Sequence, residues 1–156
     1  MGNVFLFHGT NQEISAPRCD IGSPARDFGM CFYTTYSRKM AKRWAKMNFP
    51  NHPVVNKYSL DLEKLSDGNL RIKHFVADAE WAKFVYENRN NPNFKRPDYD
   101  IIIGPLADNG LKQHFMKIKT EGLTFEEIAP MINFKRYTSL QVCFCTEYAI
   151  SILNKL

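Results

Sequence analysis

The sequence predicts a mixed α+β domain built around a split or curved sheet. Three features point to it. Short apolar strand-like segments are interspersed with amphipathic helical ones without the regular alternation of doubly wound folds. Capping residues stand ahead of several apolar stripes, and Gly and Pro punctuate the joins between segments. The 156 residues fit one compact domain, expected to span 1–156, with no internal repeat or low-complexity stretch.

The elements follow in chain order. Val4 to His8 is short and apolar and runs into Gly9-Thr10, which reads as a strand entering a turn. Between Gln12 and Gly29 the chain carries Pro17, Gly22, Pro24 and Gly29, a loop long enough to wrap a ligand. Met30 to Thr34 reads as a second strand. Ser37 then precedes Met40, Ala41, Trp44 and Ala45, so it should cap an amphipathic helix whose stripe they form, ending near Asn48 ahead of Pro50 and Pro53. Val54 to Leu60 alternates as a strand, and Asn69 to His74 is a shorter one. Ala79 to Asn88 carries Trp81, Phe84 and Val85 at helical spacing. Tyr99 to Ile103 is the clearest buried strand and stops at Gly104-Pro105. A helix is expected over Ala107 to Lys117, and Thr124 with Glu127 forms a capping-box pattern for another. Ser139 to Cys145 is the last expected strand, with Thr146 capping a terminal helix that carries Ala149, Ile150 and Leu153.

Composition narrows the function classes. The chain is 44% hydrophobic and 24% charged, globular rather than disordered, and no stretch approaches the roughly 18 apolar residues of a membrane span. Met1, Gly2 and Asn3 ahead of Val4 to Phe7 lack the basic region and long apolar core of a signal peptide, so the expected location is the cytoplasm. Cys19, Cys31, Cys143 and Cys145 show no C-x-x-C spacing and no adjacent histidines, and read as reduced structural thiols rather than a metal site. Cys143 and Cys145 are two apart and should share a face of their strand. The net charge of +5 suits a nucleic-acid partner, a phosphorylated ligand or simple solubility. The basic runs Arg38 to Lys46 and Lys112 to Lys119 have helical spacing and read first as solvated helix faces.

Dinucleotide, Walker, zinc-protease and serine-hydrolase motifs are all absent. Three segments remain, each at the edge of a strand: Phe7-His8-Gly9-Thr10, the stretch Asp27 to Thr35, and Gln141 to Glu147. A neutral imidazole both donates and accepts hydrogen bonds, a glycine admits close approach to backbone, and a tyrosine face receives a flat ring. Taken singly, His-Gly-Thr is a common turn and Phe32-Tyr33 an ordinary core pair. Arg26 and Asp27 before a glycine suit a turn. Asp100 and Asp108 flank the apolar strand and its Gly104-Pro105 bend, where Asp108 serves equally as a helix cap or a functional acid.

In this order the segments resemble the diphtheria-toxin and poly(ADP-ribose) polymerase branch of the ADP-ribosyltransferase superfamily, marked by His, Tyr and usually Glu on three separate strands. His8-Gly9-Thr10 is similar to that family's His-Gly-Ser or His-Gly-Thr. Gly29 to Thr35, followed by Ser37 and a helix, is similar to its glycine-rich strand with tyrosine. Tyr99 to Asp108 and the Trp81 to Arg89 helix also resemble a bacterial domain family of unassigned function grouped with the superfamily, which extends the likeness over nearly the whole chain.

The resemblance implies an ADP-ribosyltransferase-like split β-sheet core with flanking helices, and NAD as co-substrate. It implies that His8 holds the adenosine-side ribose, that backbone at Gly9 pairs with the nicotinamide amide and that Tyr33 stacks on the nicotinamide, with Thr10 and Tyr36 supporting the pocket and Asp27 near the cofactor. Gln141 stands where the family usually has its catalytic glutamate. Three resolutions are open: Gln141 positions ribose while Glu147 or Asp27 brings a carboxylate close, the acceptor supplies the negative charge, or the domain binds NAD or ADP-ribose without turnover. The function implied is mono-ADP-ribosyl transfer to a macromolecular acceptor, protein or nucleic acid. Small stand-alone members of this kind are often toxins of toxin-antitoxin pairs, which adds a possible antitoxin protein to the partners, with no membrane among them.

Overall fold

The computed structural model describes residues 3–156; Met1 and Gly2, part of the expected 1–156 domain, lie outside the described residues. The chain is α+β. Seven strands, β1 (Phe5–Thr10), β2 (Phe32–Thr35), β3 (Val54–Leu60), β4 (Ile72–His74), β5 (Ile101–Pro105), β6 (Leu140–Phe144) and β7 (Leu153–Lys155), form one sheet in the order β4-β5-β6-β2-β1-β3-β7. Among the described residues only β4 and β5 pair in parallel; the other neighbouring pairs are antiparallel. Among the described residues no helix is long and apolar enough to cross a membrane.

The centre of this sheet is its weakest seam. β1 pairs with β3 through six residue pairs and β2 with β6 through four, but β1 meets β2 through Phe7↔Thr35 alone. The sheet is therefore two strand groups, β4-β5-β6-β2 and β1-β3-β7, joined at one pair.

Six α-helices among the described residues flank the sheet: α1 (Arg38–Asn48), α2 (Leu62–Leu65), α3 (Ala79–Asn90), α4 (Asn109–Thr120), α5 (Phe125–Ile128) and α6 (Glu147–Ile150). Their starts follow local chemistry. Ser37, Asp78, Asp108 and Thr146 each accept a backbone N–H of the first turn, and Thr124 with Glu127 closes a full capping box. Asp108 is thus a cap, which moves the start of α4 from the expected Ala107 to Asn109.

Strand alternation divides the apolar residues between two cores. Phe28, Cys31, Trp81, Val85, Ile102, Leu111, Phe115 and Cys143 pack beneath α3 and α4 on one face. Leu6, Phe32, Tyr58, Ile101, Val142, Phe144 and Ile152 pack on the other. Tyr33 joins the first core and its neighbour Phe32 the second.

The expected terminal helix through Leu153 is corrected. It is a single turn, α6, after which Leu153–Lys155 becomes β7 and pairs with the free edge of β3 through Leu60↔Leu153, Ser59↔Asn154 and Tyr58↔Lys155. Trp44, expected in the buried stripe of α1, is 48% exposed, whereas Ala41 and Ala45 are buried.

Candidate functional site

His8 lies at the seam. Its ring packs against Phe32 at 4.4 Å between centroids, and its Nδ1–H donates to the Tyr33 carbonyl oxygen at 2.6 Å. The imidazole thus fills the place where a further β1–β2 rung would form. Burial pushes its pKa below 6.5; the bond to Tyr33 opposes this and the Arg26 charge adds to it, so the ring is neutral at pH 7. With Nδ1 donating, Nε2 is the acceptor, and it has no hydrogen-bond partner among the described residues.

Gly9 is explained by packing. A Cβ there would run into the carbonyl oxygen of Ala41, so α1 rests directly on the β1 backbone. Thr10 is buried, with its hydroxyl 3.4 Å from Asn11 Oδ1. Tyr36 is 45% exposed just beyond β2, and its hydroxyl makes no hydrogen bond among the described residues.

Tyr33 points to the opposite face from Phe32, and so from the His8 ring. Its hydroxyl donates to the Gly29 carbonyl at 2.6 Å and accepts the Phe28 N–H at 3.0 Å, tying the 26–31 turn to β2. Burial holds this phenol far above its ordinary pKa, so it stays neutral. The turn closes through Gly29 N–H on the Arg26 carbonyl, with Gly29 at φ +84°, a conformation that favours glycine. Arg26 sends its guanidinium to 6.0 Å from the Tyr33 ring centroid and 6.0 Å from that of Trp44 on α1.

Gln141 shares the face of Tyr33, two residues from Cys143, the cross-strand partner of Tyr33. Its side chain is buried, and its Nε2 donates to Asp27 Oδ2 at 3.3 Å and to the Pro105 carbonyl at 3.4 Å. Asp27 is also gripped by Arg89 at the end of α3, whose Nε donates to Oδ1 at 2.7 Å; both side chains are mostly buried, at 17% and 23% exposed. The carboxylate that reaches Gln141 is therefore Asp27. Glu147 sits in the first turn of α6 and makes no hydrogen bond to Gln141. Asp100 is occupied by Arg71 and Thr146, and Asp108 by its cap, Tyr137 and Arg136.

The chain matches, over residues 4–154, the model of a family described as a protein of unknown function (DUF3990). It belongs to the DUF3990 family. No curated protein and no solved structure matches it. In this DUF3990 chain every candidate residue from His8 to Gln141 lies within the matched span.

Sequence reasoning had not singled out three members of the arrangement. Arg89 enters the sequence reading only as the end of a helix, Arg96 does not enter it, and Trp44 enters it as part of the apolar stripe of α1. None carries a local signal of its partner, since Arg89 lies 62 residues from Asp27 and Arg96 lies 68 from Phe28. Beside the turn, a depression of about 400 Å³ is lined by Pro24, Gly29, Met30, Arg89 and Arg96 among others. No group of three metal-ligating side chains occurs among the described residues.

Proposed function

We propose that this protein is an NAD-dependent mono-ADP-ribosyltransferase acting on a macromolecular acceptor. The observation that carries the reading is the convergence of three sequence-distant segments on the adjacent strands β6, β2 and β1. There Tyr33, Gln141 and Asp27 share one face, while His8 spans the seam behind them. In support, the sheet divides at that seam, as expected of a split core, and a planar cation already lies over the Tyr33 ring.

The roles follow from position. The faces of Tyr33 and Trp44, with Arg26 displaced, receive the flat nicotinamide ring. His8 Nε2 accepts a ribose hydroxyl reaching the seam. The Gln141 amide orients the hydroxyls of the ribose that reacts. As the bond from ribose to nicotinamide lengthens, positive charge develops on that ribose, as it does in glycoside cleavage. Asp27 Oδ2, held beside Gln141, supplies the facing negative charge. The acceptor then bonds to the ribose carbon, nicotinamide leaves with the bonding pair, and the acceptor's proton passes to solvent. A carboxylate about 4 Å from a full positive charge contributes about 4 kcal/mol at an effective dielectric near 20, nearly a thousandfold in rate. Arg89, paired with the other oxygen of Asp27, offsets part of it.

That ion pair also favours a second reading, a module that binds NAD or ADP-ribose without turnover, because the carboxylate is already neutralised and Gln141 carries no charge. Nicotinamide release from NAD separates the two, measured alongside NAD binding and with cell extract as a source of acceptor. Wild-type turnover that falls about a hundredfold in Asp27→Asn, and is lost in His8→Ala and Tyr33→Ala, supports the transferase. NAD binding with no release leaves the binding module. No NAD binding removes both.

A further inference from the structure

The turn before β2 and the end of β6 bring two cysteines together. The β2–β6 register Phe32↔Phe144 and Tyr33↔Cys143 continues by one step to place Cys31 opposite Cys145. Both side chains emerge on the Tyr33 face, where Cys31 is buried and Cys145 packs against the same core. Directly opposed residues of antiparallel strands have Cα atoms about 4.5–5.5 Å apart, within the range a disulfide spans. The two sulfurs are 2.7 Å apart as a hydrogen-bonded pair of free thiols. Arg96 completes the cluster. Its Nη1 donates to Cys31 Sγ at 3.0 Å and to the carbonyls of Phe28 at 2.6 Å and Met30 at 3.3 Å.

The two sulfurs are not equivalent. Arg96 donates to Cys31 and not to Cys145, so its charge favours a thiolate at Cys31 and leaves the shared proton with Cys145; as thiols, the two also reach the Phe28 and Cys143 carbonyls at 3.6 and 3.7 Å. Despite burial, Cys31 is held below the ordinary thiol range by Cys145 and Arg96, and Cys145 is driven well above it by holding the shared proton and by burial. Of the neighbouring titratable groups, Cys143, Tyr33 and Cys19 are all pushed upward and stay neutral, and the Asp27 carboxylate, whose charge contributes at Cys143 and Tyr33, is paired with Arg89. This division suits two-electron thiol chemistry, in which a thiolate attacks and a neighbouring thiol resolves.

We propose that Cys31 and Cys145 form a reversible disulfide, with Cys31 as the attacking thiolate, Cys145 as the resolving thiol and hydrogen peroxide as the oxidant. The Cys31 sulfur attacks one peroxide oxygen and the O–O bond breaks. Cys31 becomes a sulfenic acid, and the departing hydroxide takes up the proton that Cys31 had released. Cys145 sulfur then displaces the sulfenic oxygen, which leaves as water with the Cys145 proton. Two thiols are oxidised, one peroxide is reduced to two waters, and a dithiol reductant reverses the bond. Oxidation would staple the turn carrying Arg26 and Asp27 to the end of β6, independently of whether NAD is the ligand.

The test uses the full chain with Cys19→Ser, reduced and then treated with one equivalent of hydrogen peroxide. The expected product is a monomer lighter by two hydrogens, with a Cys31–Cys145 cross-linked peptide and both thiols recovered on reduction. In Cys145→Ser, Cys31 should be trapped as a sulfenic acid that a dione probe labels. Arg96→Gln should slow the reaction about tenfold. Because that variant could loosen the turn, the pH dependence of the wild-type rate is the independent readout, with a half-maximal pH below the ordinary thiol value of about 8.5. Retention of both thiols, a sulfinic acid on Cys31 in place of the cross-link, or a half-maximal pH at or above the ordinary value would overturn the proposal.

Discussion

At the scale of single residues, His8 does two things at once. Its buried ring replaces a rung of the sheet by donating to the Tyr33 carbonyl, and its Nε2 has no hydrogen-bond partner among the described residues. Both depend on a neutral imidazole with a defined tautomer. The stability consequence has a fixed sign. The folded pKa lies below the ordinary 6.5, so between the two values the unfolded chain binds more protons. His8 then contributes fully above about pH 6.5 and loses that contribution as pH falls towards the folded value. Urea midpoints at pH 7.5 and pH 5.5 should fall with acidification in the wild type, and the fall should shrink in His8→Asn. An unchanged difference would show that His8 is not the titrating group.

At the scale of elements, α1 is held by one end cap and a few small side chains. Ser37 Oγ accepts the Met40 N–H at 3.2 Å, and Ala41 and Ala45 are the residues it buries. So thin a contact makes the cap matter. Ser37→Ala should cost about 1 kcal/mol, read as a lower urea midpoint at unchanged slope. It should also loosen the placement of Trp44, detectable in the fluorescence of that tryptophan once Trp81, buried in the core, is accounted for. Elements of this sort were readable in advance because a cap and an apolar stripe are local: Ser37, Thr124 with Glu127, and Trp81 with Val85 announce their helices within a few residues. Leu153 did not announce β7, since its strand state comes from pairing with Leu60, a partner distant in the chain. Trp44 misled for a related reason, because helical spacing says which residues share a side but not where the neighbouring layer ends.

For the whole molecule, the candidate site was legible as three separate segments and not as a constellation. His8, Tyr33 and Gln141 stand out at strand edges. Their grouping depends on the order β6-β2-β1, and the acid that joins Gln141 arrives from a turn 114 residues away. Local pattern cannot specify such a pairing. The same architecture makes the seam the least tied line in the sheet, with one register pair between two better-paired groups. Amide hydrogen exchange should be fast for the residues of β1 and β2 that face each other across it, and slow for Leu6 to Val55 pairings in the β1–β3 ladder and for the β2–β6 ladder. Uniform protection across all four strands would contradict a two-group sheet.

The backbone contact of Gly9 with Ala41 fastens α1 to β1, so Trp44 travels with one strand group, while Tyr33 is built into the other. The two rings that share Arg26 are consequently jaws on either side of a single joint. Their aperture is set by the angle between the halves of the sheet, and whatever is gripped between them sets that angle in return.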